Sequence, residues 1–216
     1  MRALSDIDLA LFWRDLDGNP EHVFTAAHCP TRLGGAVRAY MSNLNATGTD
    51  GECQYMMGDT PGPRITVFLS RITSADTLDA LYDSTVEQIN IAFDHPRRVS
   101  SDQLAFAGLP VRRGIFAQGT TRTGLWLSLV HGWSLKLRLT HNGELNDGQI
   151  DAVAADLFTQ LPEINSYLAH CTALGARDAA ETRTPGVGDA VMLQLLFAQA
   201  EQAGAQQCFL GLPEFN

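Results

Sequence analysis

The chain has very little lysine and no long apolar run. Lys136 is the only lysine among its 15 basic residues. The longest apolar stretch, residues 190–200, is interrupted by Gln194 and Gln199. It falls short of the roughly 18 apolar residues that a membrane-spanning helix needs. We therefore expect no transmembrane segment.

The N-terminal segment lacks the features of a signal peptide. It carries Asp6, Asp8 and Asp15 and has no small-residue cleavage site. The chain is thus predicted to be cytoplasmic, or periplasmic if this sequence is the mature form of an exported protein.

Several catalytic and cofactor motifs are also missing. The sequence contains no CxxC, GxSxG or HExxH, and Gly186-Val187-Gly188 lacks the third glycine and the lysine of a phosphate loop. Thr25–Cys29 resembles the segment around the catalytic histidine of chymotrypsin-like proteases, but the partner segment GDSGG is absent. We predict no catalytic residues and no cofactor.

The candidate metal ligands in the sequence do not have the spacing of known zinc or calcium sites. The histidines and cysteines at His28-Cys29 and His170-Cys171 have no close cysteine pair beside them, as structural zinc sites usually do. The acidic and amide residues at 15, 17, 19 and 21 alternate like calcium ligands, but the glycine and the closing glutamate stand at the wrong positions. We predict no metal.

Charge is unevenly distributed. With 24 acidic and 15 basic residues the net charge is −9, which argues against nucleic-acid binding, because such binding relies on neutralising phosphates. The segment 97–138 nevertheless carries +6, and the rest of the chain −15. A local basic patch of this kind can bind an anionic ligand, or it can simply be a solvated surface that pairs with acids from elsewhere. The candidate ligand-binding residues are His95, Arg97, Arg98, Arg113, Lys136 and Arg138.

The four cysteines suit two disulfides or four buried thiols. The candidate pairs are Cys29 with Cys53 and Cys171 with Cys208. Spacing does not determine the connectivity, since four cysteines allow three pairings. Disulfides would indicate an oxidising compartment.

Hydrophobic periodicity predicts an α+β fold. Strands with short connections must pair antiparallel, so we expect a largely antiparallel sheet of six or seven strands with helices on both faces, an αβα sandwich. The clearest strand covers residues 133–140, where Trp133, Leu135, Leu137 and Leu139 alternate with polar residues. Further strands are expected at 36–43, 52–57, 65–69, 115–122 and 125–129. Residues 96–112 are expected to be a connection, with Gly108 and Pro110 as breakers.

Five helices complete this prediction. They cover residues 5–17, 78–93, 146–161, a segment after Pro162 that ends at Gly175, and 189–203. We expect one domain over residues 1–216. Its core spans 22–161, with an N-terminal helix in 1–18 and a helical extension in 163–216.

Four segments resemble bacterial proteins of the PsbP-like αβα-sandwich type. They are CPTRLGGAVRAY from Cys29, GECQYM from Gly51, PRITVFLSRI from Pro63, and GLWLSLVHGWSLKLRLTH from Gly124. The resemblance covers about residues 29–161. It implies a non-enzymatic accessory or binding protein, often outside the cytoplasm, with no catalytic motif to carry over.

The sequence is compatible with three functions. The first is a non-catalytic accessory or binding protein. The second is a small enzyme that acts on an anionic substrate with scattered residues such as His95 and Arg113. The third is an assembly subunit, in a homo-oligomer or with a protein partner, that uses the C-terminal helix around Val191 to Phe197 as its interface.

Overall fold

A computed structural model describes residues 13–14, 18–44, 49–58, 62–73 and 76–181. Ten strands and three helices lie in these ranges. The strands are β1 (Trp13–Arg14), β2 (Glu21–His22), β3 (Arg32–Leu33), β4 (Ala36–Asn43), β5 (Asp50–Met56), β6 (Arg64–Arg71), β7 (Arg97–Phe106), β8 (Leu109–Gln118), β9 (Thr121–Val130) and β10 (Trp133–His141). The helices are α1 (Leu78–Ala92), α2 (Asp147–Phe158) and α3 (Leu161–Glu181).

The strands form one large antiparallel sheet and a small ribbon. The large sheet has eight strands in the order β3-β4-β5-β6-β10-β9-β8-β7, and β1 pairs with β2. This confirms the α+β class and the antiparallel pairing. The sheet is larger than the six or seven strands that the sequence predicts.

The extra strand comes from the segment 96–112, for which the prediction of a connection is wrong. Most of it belongs to β7 and β8, which turn at Ala107 and Gly108. Pro110 lacks an N–H but still pairs with Ala105 near the start of β8, and its carbonyl accepts a hydrogen bond from Ser128 at 2.9 Å. The predicted strand over 115–122 is likewise two strands, separated by a turn at Gly119.

Two helix predictions need correction. Trp13–Arg14 form strand β1 and not part of a helix. The other residues of the predicted helix over 5–17 lie outside the described residues. The helix α3 contains Pro162 in its first turn, where the missing N–H has no intrahelical partner to lose, and it runs past Gly175 to Glu181. The predicted helix over 189–203 lies outside the described residues.

Alternate residues of the sheet belong to two apolar clusters. On one side, which we call face A, Leu125 and Leu127 of β9 pack with Tyr82, Val86 and Ile89 of α1. On the other side, face B, Trp126 and the inner residues of β10 pack with α2 and α3. The predicted inner face of β10 is confirmed, since Trp133, Leu135, Leu137 and Leu139 are all buried and Lys136 is more exposed.

A disulfide joins Cys29, which precedes β3, to Cys53 in β5. The two Cα atoms are 6.1 Å apart and both residues are buried. Cys171 is disulfide-bonded as well, and Cys208 lies outside the described residues.

Replacing Cys29 and Cys53 together by alanine is expected to lower the free energy of unfolding by about 2–4 kcal/mol, because the bridge restricts the unfolded chain. Urea unfolding of the variant and the parent chain measures this loss. Adding a reductant should destabilise the parent more than the variant. A loss under about 1 kcal/mol would contradict a stabilising role for the bridge.

Candidate functional site

The sheet register separates the candidate ligand-binding residues. Arg113 of β8 pairs with Trp126 of β9, which pairs with Leu137 of β10, so these three side chains share face B. Lys136 and Arg138 flank Leu137 and therefore point to face A. The six predicted residues do not form one site.

Arg113 is engaged by acidic side chains from two elements. Its Nε donates to Asp151 Oδ1 of α2 at 2.7 Å, and its Nη2 donates to Asp151 Oδ2 at 3.0 Å. Its Nη1 donates to Asp102 Oδ2 of β7 at 2.9 Å and to Ser100 Oγ at 2.9 Å. Burial lowers the pKa of this guanidinium, but Asp151 and then Asp102 outweigh it, and the pKa is raised overall. Arg113 therefore ties α2 to the sheet, and little of its hydrogen-bonding capacity is left to bind a ligand.

His95, Arg97 and Arg98 lie at the edge of the sheet formed by β7. All three are exposed, in and just after the turn that follows α1. The guanidinium of Arg98 lies over the Phe116 ring at 5.8 Å. Since β8 and β9 separate β7 from β10, three strand spacings place β7 about 14 Å from β10 across the sheet.

Lys136 and Arg138 do come together, around an aromatic ring that the sequence prediction does not include. Lys136 pairs with Phe68 across β10 and β6, and its Nζ lies 4.3 Å from the centre of the Phe68 ring. The Arg138 guanidinium lies 5.8 Å from the same ring centre. Arg64 of β6 stands four residues before Phe68 and lies on the same face, because alternate residues of a strand point to one side. We call Arg64, Phe68, Lys136 and Arg138 the cation cluster.

Within the described ranges, the cations of this cluster have no acidic partner in direct contact. Among the described residues, no carboxylate forms an ion pair with Arg64, Lys136 or Arg138. The nearest acids on face A are occupied by hydroxyl groups instead. Tyr40 Oη and Ser42 Oγ donate to Glu52 Oε1, the latter at 3.2 Å, and Ser70 Oγ donates to Asp50 Oδ1 at 2.7 Å.

The electrostatics of the cluster follow from partial burial. Burial is the main cause that lowers the pKa of Lys136; the charge of Arg138 lowers it further, and Asp50 opposes the shift. Burial, followed by the charge of Arg64, also lowers the pKa of Arg138, with Glu52 opposing. An anion placed among these side chains would relieve their mutual repulsion.

The cluster lies beside α1 rather than under it. The apolar cluster beneath α1 includes Phe116, Leu125 and Leu127 and ends at β9. In the described part of the chain, β10, β6, β5 and β4 contribute no residue to it. This half of face A carries mainly polar and charged side chains, and its apolar members include Phe68, Met56 and Val37. Phe68 itself is partly exposed.

The sequence contains one signal that places Phe68 on the more polar side of its strand. It alternates with Ile65, Val67 and Leu69 and shares its side of β6 with Thr66 and Ser70. Its meeting with Lys136 depends on β6 pairing with β10, strands about 65 residues apart along the chain. No local pattern contains that pairing.

Two further features of the described residues bear on the site. None of their helices is long and apolar enough to cross a membrane. They also contain no group of three or more histidine, cysteine, aspartate or glutamate side chains placed to hold a metal ion.

Comparison with known proteins finds similarity to a solved structure. No protein-family model matches the chain, and no curated protein matches it. The solution structure of cyanobacterial PsbP (CyanoP) from Synechocystis sp. PCC 6803 is similar with a TM-score of 0.39 and 12% identity, over 68% of this chain and 85% of that one. The neighbour is of the same PsbP-like type as the sequence resemblance. At this identity and TM-score it transfers no residue role.

Proposed function

We propose that this protein is a non-catalytic accessory protein that docks an acidic segment of a partner protein on the half of face A formed by β10, β6, β5 and β4, to which no described helix contributes apolar packing. The observation that carries the proposal is the cation cluster, in which the half-buried Lys136 and Arg138 and the exposed Arg64 gather without an ion-pair partner among the described residues. Surface cations usually stay in water or pair with acids. Holding them together partly out of water costs free energy that a bound carboxylate would offset.

The shape of the surface supports a protein partner. The cluster occupies the side of two paired strands, with its side chains at every second residue, so it presents a row and not a closed cavity. An extended acidic segment can place successive carboxylates along such a row. Complementary charge of this kind also speeds association and selects partners.

We infer a three-layer αβα arrangement around this surface. Two apolar clusters support this arrangement, one with α1 and one with α2 and α3. Alternate residues of β9 belong to different clusters, as expected for side chains on opposite faces of a sheet. In this arrangement α1 shields β8 and β9 on face A and leaves β6 and β10 available for docking.

We also infer that the protein works in an oxidising compartment. The support is the Cys29–Cys53 disulfide, since such bonds form and persist mainly outside reducing cytosol. The enzyme alternative has less support, because Arg113 is engaged by Asp151 and Asp102 and the exposed cations of β7 are remote from β10. The interface proposed around Val191 to Phe197 lies outside the described residues.

A labelled poly-glutamate peptide tests the docking proposal. Fluorescence anisotropy should show binding at low salt that weakens as salt rises. The variants Lys136→Met and Arg138→Gln should each weaken it by about tenfold, which corresponds to about 1.4 kcal/mol for a partly buried contact. Arg97→Gln is the matched control, because it removes an exposed cation from β7, and it should change little.

Two further probes separate the alternatives. Inorganic phosphate and vesicles of anionic phospholipid are offered under the same conditions. Binding of either one without binding of poly-glutamate would refute an acidic protein partner. Equal loss in the Arg97→Gln control would show that net charge, and not the cation cluster, determines the binding.

A further inference from the structure

The amine of Lys136 lies in surroundings that favour its reaction as a nucleophile. Its side chain is partly buried between two apolar neighbours on the adjoining strands, Phe68 of β6 and Leu127 of β9. The Nζ atom lies over the Phe68 ring at 4.3 Å, and no described carboxylate forms an ion pair with it. Lysines become reactive at neutral pH when they are desolvated or when they stand beside another cation, and both conditions hold here.

The charged groups that face this amine are few. Arg138 stands two residues along the same strand, Arg64 lies on β6, and Asp50 and Glu52 lie on β5. Asp50 and Glu52 each accept hydrogen bonds from hydroxyl groups, which reduces their availability to the amine. Burial and Arg138 lower the pKa of Lys136 more than Asp50 raises it. The neutral amine is therefore more populated than in an exposed lysine.

We propose that Lys136 is a site of acylation by acyl phosphates, with the Arg138 guanidinium holding the phosphate group while the amine attacks the acyl carbon. A carbon–nitrogen bond forms between the Lys136 amine and the acyl group. The bond from the acyl carbon to the phosphate oxygen breaks, and phosphate leaves with its electron pair. The amine proton passes to the released phosphate, so the step needs no oxidant or reductant.

Acylation would change the surface of the cation cluster. The product is a neutral amide, which loses both the positive charge and the cation–π contact with Phe68. If the docking proposal above is right, on which this consequence rests, acylation weakens docking, and a docked partner protects the amine. Since Lys136 is the only lysine in the chain, a single modification would control this surface.

Acetyl phosphate is the probe for the test. The full chain is incubated with it near neutral pH, and peptide mass mapping follows the acetylation of Lys136 over time. The reference is an N-acetylated peptide with the sequence Trp133–Leu139, which has the same neighbours in sequence but not the fold. The folded chain should react several-fold faster than the peptide, because burial and Arg138 lower the pKa of Lys136 and leave more of its amine neutral. An equal or slower rate in the folded chain would overturn the proposal.

Three variants assign the roles. Lys136→Arg retains the charge, removes the amine and should abolish the modification. Arg138→Gln should slow the reaction with acetyl phosphate more than the reaction with acetic anhydride, which carries no phosphate. An equal effect on both reagents would refute phosphate binding by Arg138. Arg97→Gln is the control and should react like the parent.

The two proposals fail separately. The acylation rate is measured on the free chain without any acidic peptide, so its failure would leave the docking measurement untouched. Failure of poly-glutamate binding would likewise leave the acylation rates as they stand.

Discussion

Replacing Arg113 by alanine is expected to lower the free energy of unfolding by about 3–5 kcal/mol, because the change removes one partner of a partly buried ion-pair network. Asp151 and Asp102 would lose three hydrogen bonds between them, all of 3.0 Å or less. Contact with the Trp126 ring, 6.0 Å from the guanidinium carbon, would also be lost. Both acids are partly exposed and can be hydrated in the variant, which places the expected loss nearer the lower figure.

Urea unfolding of the parent and the variant measures this effect. The matched control is Arg97→Ala, since Arg97 is an exposed cation on β7, and its effect should stay within about 0.5 kcal/mol. Similar losses in the two variants would show that Arg113 does not tie α2 to the sheet. Arg113→Lys should recover only part of the loss, because an ammonium cannot reproduce the two parallel hydrogen bonds to Asp151.

Replacing Leu137 by alanine is expected to cost about 2–5 kcal/mol, the range for a buried leucine whose removal leaves a cavity. Leu137 is fully buried at the centre of β10, paired with Val67 on one side and Trp126 on the other. The neighbours on face B are held by the sheet and by α2, so they can relax only partly into the space.

The control for this change is Leu44→Ala, because Leu44 is 48% exposed. That variant should lose less than about 1 kcal/mol in the same urea unfolding measurement. A loss under 1 kcal/mol for Leu137→Ala would contradict the assignment of Leu137 to the core.

The helices and strands show where sequence reasoning succeeds. The helix α1 follows a clear helical spacing of apolar residues and is capped at its N-terminus by Thr77, whose side chain accepts a hydrogen bond from the N–H of Ala80. The helix α2 begins with a reciprocal pair of hydrogen bonds between Asn146 and Gln149. These signals are local, so the sequence is sufficient to find them.

Reasoning from the sequence fails where a residue type has more than one use. Gly108 and Pro110 suggested a connection, yet Gly108 lies in a hairpin turn and Pro110 near the start of β8. This strand pairs on both sides along most of its length, so it tolerates a proline near its start. Arg113 looked like its neighbour Arg112 in the sequence. Only the alternation of β8 sends Arg113 to face B, towards Asp151, and Arg112 to face A, where it pairs with the exposed Asp79.

The sequence by itself determined the α+β class, the inner face of β10 and the excess of positive charge between residues 97 and 138, because each is a matter of composition or of period along one segment. The tertiary structure decided which of those charges meet. The pairing of β6 with β10 brings Phe68 to Lys136 and Arg138, while β8 and β9 hold Arg97 and Arg98 away from them. Contacts between strands far apart in the chain depend on which sheet order buries the most apolar surface, and that is a property of the whole chain rather than of any segment.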